Sequence, residues 1–317
     1  MRVPRRHAFH PFDTDNGRDM STATTLASES AEISTREYIE VMVPLVLAAD
    51  RAINPGRWVL SVHYDDLGES PFANRDEALS WMREWAGAIR GCVRIAHETH
   101  RHEIACSLVE GLWGWLTVSK DWQLWRTVHE TGLASAVHCD STVQARMLSG
   151  LGSLNTWIGD LHEAERLHMR ARALWVQGKH TLGQATCMEG LGVVNLKRNK
   201  PLAARSWFTD ARLLFAEAGR TRGVVMMDRR LGESFRDGRE FDQADKHLRS
   251  ALGWFRDHAD DYMVLRTGRS LALSLIGQRS TQKAHELLSE LHNLACALGA
   301  ETDAEEIRKL TEGNPTR

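Results

Sequence analysis

The chain repeats itself at a fixed distance of 40 residues, and that period narrows the possible folds more than any other feature. Leu151-Gly152, Leu191-Gly192, Leu231-Gly232 and Leu271-Ala272 form one series. Ala164, Ala204, Ala244 and Ala284 form a second, and Ala171, Ala211, Ala251 and Leu291 a third. A period of this size marks stacked supersecondary units, each burying its apolar face on its neighbours. The small residue after each Leu belongs to the first helix of a pair, and the first Ala to the second helix. Helices approach to about 8–10 Å only where the facing side chains are small, so the three series read as the seam of each pair. The expected fold is all-α: a right-handed solenoid of about five helix pairs with an N-terminal helical cap.

Taken in order, residues 1–33 are polar and without a sustained period, which reads as a disordered leader. Residues 34–102 read as an N-terminal helical segment. Its first helix carries Tyr38, Val41, Met42, Leu45 and Ala49 on one face, with Pro44 expected to bend or divide it. Pro55-Gly56 ends it, and residues 55–74 read as a loop anchored by Trp58, Val59 and Leu60. Asn74-Arg75-Asp76-Glu77 is a capping box that opens a second helix running towards His97; Gly87 and Gly91 are expected to interrupt it. Repeats are placed at 103–139, 142–178, 182–218, 222–258 and 262–299. The first fits only with a shift of 39, and Trp113 and Trp125 stand where later repeats carry Gly and Ala, as an end repeat must be atypical. Residues 300–317 read as a short capping helix and tail.

Bulk properties remove several function classes. A net charge of −2 and a pI near 6.7 give no case for direct nucleic-acid binding. No apolar run reaches the ~18–20 residues of a membrane span. Five cysteines, at 92, 106, 139, 187 and 296, are odd in number and form no C-x-x-C pair, which points to reduced thiols in a cytoplasmic protein. No phosphate-cradling G-x-x-x-x-G-K-[ST] loop and no G-x-S-x-G elbow occurs. The Gly150-Leu151-Gly152 and Gly190-Leu191-Gly192 triplets follow no strand and lack a third Gly, so they read as helix packing rather than a dinucleotide site.

The Leu-Gly, Ala, Ala offsets resemble the tetratricopeptide repeat, whose usual period is 34. Here six extra residues fall between the second Ala and the next Leu, so the helices meeting there are longer. The chain also resembles the C-terminal region of actinobacterial AfsR/SARP-like NB-ARC (STAND) transcriptional regulators. That resemblance rests on Ala48-Ala49-Asp50-Arg51 with Asn54-Pro55, on Phe72-Ala73-Asn74-Arg75-Asp76-Glu77-Ala78-Leu79-Ser80-Trp81, on Trp113, Asp121-Trp122 and Trp125, and on the repeats. It covers about residues 35–300. It implies a sensor or docking arm; the family's ATPase and DNA-binding domains have no counterpart in this sequence.

Function is expected on the inner faces of the first helices, which line the concave side of such a superhelix. Offsets from the Leu-Gly pair place Arg146, Ser149, Ser153 and Trp157 there, then Glu189, Val193 and Lys197, then Arg229, Arg230, Glu233 and Arg236, then Arg266 and Arg269. The arginines suit capture of an acidic peptide or protein segment. The competing reading is solvated arginine paired with Glu233, Asp228 and Asp237, and both stay open. His97, His100 and His102 with Cys106 form the one metal-like cluster, but the spacing is wrong for H-E-x-x-H and a polar helix exit explains it. Tryptophans at 58, 81, 85, 113, 115, 122 and 125 read mainly as core. No catalytic constellation, cofactor site or metal site is assigned. The expected function is a non-catalytic scaffold for a protein or peptide in transcriptional or signalling regulation, with oligomeric state left open. The alternatives are a small-molecule or signalling-peptide sensor and a metal-dependent enzyme built on His97–His102.

Overall fold

The computed structural model describes residues 20–298 and 300–313. Among these the chain forms fourteen α-helices and no strand. It divides into two compact units, one ending at Val143 and the other beginning at Gln144.

The first unit contains α1 (Met20–Ile53), α2 (Arg75–Glu98), α3 (His102–Gly111), α4 (Trp113–Ser119) and α5 (Trp122–Ala136). Three expectations for α1 need correction. The leader expected over residues 1–33 lies outside the described residues up to position 19, but from Met20 it is helix, continuous with the buried part. Neither Gly nor Pro interrupts the sequence from Met20 to Val43, so nothing in it breaks the helix. Pro44 does not divide α1 either. The core face is also rotated from the expected one. Ile39, Met42, Val43, Val46, Leu47, Ala49 and Ile53 are buried, whereas Tyr38 and Val41 are exposed. Asp50 shares the buried face and is 1% exposed.

That buried aspartate organises the loop that follows. Arg57 donates to Asp50 Oδ2 at 2.5 Å and Tyr64 donates to the same oxygen at 2.7 Å. Gly114 N–H donates to Asp50 Oδ1 at 2.9 Å. Glu110 accepts from the backbone of Leu60 and Ser61, both at 2.9 Å, and lies 3.6 Å from Arg57. Burial alone would discharge Arg57, but Asp50, Tyr64 and Glu110 hold its pKa above the ordinary arginine value. The loop is thus anchored by polar groups; Trp58, Val59 and Leu60, the expected anchors, are only half-buried. The same network explains why the first helix of the repeat expected at 103–139 is interrupted at Leu112: the Gly114 N–H is taken by Asp50. Helix α2 runs uninterrupted through Gly87 and Gly91. Its start is capped by Asn74, which accepts from Glu77 N–H at 2.9 Å, while Glu77 accepts from Ala73 N–H at 2.7 Å.

The second unit holds α6 (Ser141–Ile158, from Gln144 on), then α7 (Leu161–Gln177), α8 (Thr181–Lys197), α9 (Pro201–Glu217), α10 (Thr221–Asp237), α11 (Phe241–Asp257), α12 (Asp261–Gly277), α13 (Thr281–Ala297) and α14 (Glu301–Glu312). Helices α7 to α13 are each 17 residues long. Two such helices and two three-residue turns make up the period. The turns share one geometry. Lys179, Asn199, Arg239, Ala259 and Arg279 sit in the left-handed region at φ between 51° and 62°, and Gly219 at 66°. The next N–H closes back on the carbonyl five residues earlier, as His180 does on Trp175 at 2.9 Å and Asp260 on Phe255 at 3.0 Å. This satisfies helix-end carbonyls that would otherwise lack donors.

The small residues of the echo do a different job from the one expected. They do not merely let backbones approach; they make room for one side chain of the second helix. A methyl group at Gly152 would lie 2.9 Å from the His168 ring, and one at Gly232 would lie 2.6 Å from Leu248. At Gly192 it would overlap Phe208. His168, Phe208, Leu248 and Leu288 are the equivalent residues of successive second helices, and all are buried. Trp175, Phe215 and Phe255 fill the joints to the following pairs. Ala304 and Ile307 of α14 close the last apolar cluster.

Candidate binding face of the first helices

The face lies on α6, α8, α10 and α12 of the second unit, each presenting a row of residues at the 40-residue period. At its α6 end Trp157 is 44% exposed, and Lys197 is exposed on α8. Arg146 and Ser153 are half-buried. Two expected groove residues are not on the surface. Ser149 is buried; its hydroxyl donates to Ala145 O at 2.7 Å and lies 3.3 Å from Trp175 Nε1, which can donate to it. Val193 is half-buried against the apolar cluster around Phe208.

Helices α8, α10 and α12 bring the remaining residues together. Arg230 donates from Nε to Glu189 at 3.1 Å and from Nη1 to Glu233 at 3.1 Å. Arg229 Nη1 donates to the other oxygen of Glu233 at 2.5 Å, and Ser270 Oγ donates to that oxygen at 2.8 Å. Arg229 is only 2% exposed, and its Nε and Nη2 have no hydrogen-bond partner among the described residues. Burial would raise the Glu233 carboxyl, but Arg229, Arg230 and Arg236 overrule it and bring its pKa down to about 2. Burial, only partly offset by Glu233, brings the Arg229 guanidinium down to about 9, still charged at neutral pH. Arg236 pairs with Asp237 at 2.7 Å. Arg269 pairs with Asp303 at 3.7 Å and with Glu306 of α14. Arg266 rests on the Tyr262 ring, 5.5 Å from its centroid, and has no carboxylate partner among the described residues.

The arginine cluster is therefore largely neutralised from within the chain. Glu233 and Asp237 serve as the partners named in the solvated reading; Asp228 instead binds Arg212 at 2.9 Å and faces His247 at 3.4 Å. Sequence reasoning placed the charges on the right helices but missed that Arg229 is buried. The period gave no signal of this, since position 229 repeats Ser149, which is buried, and Glu189 and Arg269, which are half-exposed.

The His97–His102 region lies in the first unit. His102 stacks on His138, with ring centroids 4.2 Å apart, and His97 Nδ1 lies 2.8 Å from Ser135 Oγ. His97 meets the His102 ring tilted and His100 meets it edge-on, and among the described residues no group of three or more His, Cys, Asp or Glu is arranged to hold a metal. Of the tryptophans, Trp81, Trp115 and Trp125 are buried, and Trp113 meets Trp125 edge-on at 5.4 Å. A cavity of about 290 Å³ lies beside Arg51, Phe72 and Arg75. No helix among the described residues is long and apolar enough to cross a membrane.

Residues 143–214 match the tetratricopeptide repeat family. No curated protein sequence matches the chain. Three solved structures share its fold at low identity. A Rap protein complexed with competence and sporulation factor gives a TM-score of 0.61 at 12% identity, over 88% of this chain and 80% of that one. Aspartyl phosphate phosphatase F from Bacillus subtilis gives 0.56 at 10% identity, over 74% and 59%. BtubC from P. vanneervenii gives 0.55 at 16% identity, over 70% and 92%. The fold is thus an all-α, TPR-like solenoid.

Proposed function

We propose that this chain is a non-catalytic scaffold that binds a protein or peptide partner on the first-helix faces of its second unit. The observation that carries the reading is the division of labour within each repeat. The echoing positions are spent on packing, while Trp157 of α6, Lys197 of α8, and Arg266 and Arg269 of α12, which do not echo, reach solvent. A half-exposed Trp on a face that also carries charged side chains fits a binding hot spot better than a solvated face. The excess of arginine on α10 and α12 favours a partner with an acidic segment. The Rap neighbour, whose structure holds a bound factor, supports a binding role for this architecture. The enzymatic name of the Bacillus subtilis neighbour does not transfer, since the likeness is one of fold. Resemblance to the AfsR/SARP-like regulators supports a place in transcriptional or signalling control, and five free thiols support a cytoplasmic one.

The test is affinity capture with the full chain in an extract of its native host, followed by mass spectrometry. A single dominant partner is expected. The Trp157→Ala, Lys197→Glu double variant should lose it. Capture unchanged by that variant would remove the face from consideration.

A further inference from the structure

The charges between α8, α10 and α12 do not balance. Arg229, Arg230 and Arg266 carry three positive charges, and Glu189 and Glu233 two negative ones. The same offset of 37 residues that sets Ser270 against Glu233 sets Arg266 against Arg229. The two arginines thus stand at one level on neighbouring helices, and the charge of each opposes that of the other. Arg229 is 2% exposed and has two nitrogens without an acceptor, and Thr267, next to Arg266, has a buried hydroxyl without a partner. A native fold leaves few such groups, because each unsatisfied buried donor costs about 1–3 kcal/mol.

Resting on the proposed binding face, we infer that Arg266, backed by the buried Arg229, forms a subsite for one carboxylate of an acidic peptide. Arg266 supplies the contact, since it is half-exposed and unpaired. Arg229 supplies field: its charge lies in a low-dielectric interior, where solvent screens it little. The carboxylate brings the missing negative charge and relieves the repulsion between the two guanidiniums. Arg230, Arg236 and Arg269 are engaged by Glu189, Glu233, Asp237, Asp303 and Glu306, so they do not read the ligand. One well-placed carboxylate, rather than a run of acidic residues, is what the subsite selects.

The probe is the dipeptide N-acetyl-Glu-Glu-amide, with N-acetyl-Gln-Gln-amide as control, titrated into the full chain by calorimetry and by NMR of the arginine Nε–H signals. Saturable binding of the Glu form alone is expected. Arg266→Gln should weaken it about tenfold, the usual worth of a charge-assisted hydrogen bond. Arg229→Met, with folding checked by circular dichroism, should weaken it about threefold without removing a contact. Arg256→Gln, an exposed arginine of α11 paired with Glu290, should leave it unchanged. Absence of saturable binding, equal weakening by Arg256→Gln, or displacement of the dipeptide by inorganic phosphate at tenfold lower concentration would each overturn the subsite. If the dipeptide fails while the Trp157 and Lys197 variant still loses the captured partner, the face stands and the carboxylate subsite falls.

Discussion

The two units hold themselves together by opposite means. In the first, a loop of irregular sequence is fastened by a single buried network of Asp50, Arg57, Tyr64 and Glu110. In the second, the same kind of contact recurs repeat after repeat, each time a side chain of the second helix seated over a small residue of the first. Repetition spreads the stabilisation over many modest contacts. A unique network concentrates it, because a charge left alone in the interior is costly.

That contrast can be broken most severely at Asp50. Asp50→Ala strands Arg57 and Tyr64 and frees the Gly114 N–H, and should cost about 3–5 kcal/mol. Urea unfolding followed by tryptophan fluorescence suits this test, because Trp58, Trp81, Trp85, Trp113, Trp115, Trp122 and Trp125 all lie in the first unit. A loss below 1 kcal/mol would show that the network does not concentrate stability.

The next effect lies in the second unit, where one repeat departs from its neighbours. His168 occupies the place of Phe208, Leu248 and Leu288, and neither ring nitrogen has a partner among the described residues. Burial holds its pKa down at about 4. The unfolded chain takes up a proton near pH 6.5, whereas the folded chain resists until about pH 4. Stability contributed by the neutral ring is therefore present above that window and lost as pH falls through it, by up to about 3 kcal/mol. In His168→Leu the drop in unfolding free energy between pH 7 and pH 4 should shrink by that amount. An unaltered drop would assign the acid sensitivity elsewhere.

Smaller still is Gly192→Ala, whose new methyl overlaps Phe208 and should cost about 1–3 kcal/mol. In a double-mutant cycle with Phe208→Ala the two losses should fall short of additivity; strict additivity would mean the pair does not share one space. The smallest effect is expected at Arg269→Gln, a half-exposed arginine paired with Asp303 and Glu306, at about 0–1 kcal/mol in thermal unfolding.

The comparison also explains what the sequence discloses. The helix pairs, their turns and the seam residues were legible because each is stated four times, and a period averages out local ambiguity. The face of α1 was not, since Tyr38 and Ile39 are both apolar enough to seed a stripe and only packing chooses between them. The Asp50 network left no trace, because its members lie up to 64 residues apart and occur once. On the candidate face, position in the repeat placed the arginines on the correct helices. It left open whether Glu233 claims Arg229 and Arg230 within α10, and it did not show that Glu189 of α8 claims Arg230, since pairing across neighbouring helices depends on rotamers that spacing does not encode.

The three-residue turns carry a consequence of their own. Each sets its neighbouring helices through a backbone bond that is indifferent to side-chain identity: Lys, Asn, Gly, Arg and Ala all serve at the left-handed position. A segment of 40 residues excised between equivalent turns would leave the same junction behind, and one inserted there would create no new kind of contact. The array is thus built to change length in whole units through duplication and unequal exchange, with the surface row on the first helices free to diverge as copies accumulate.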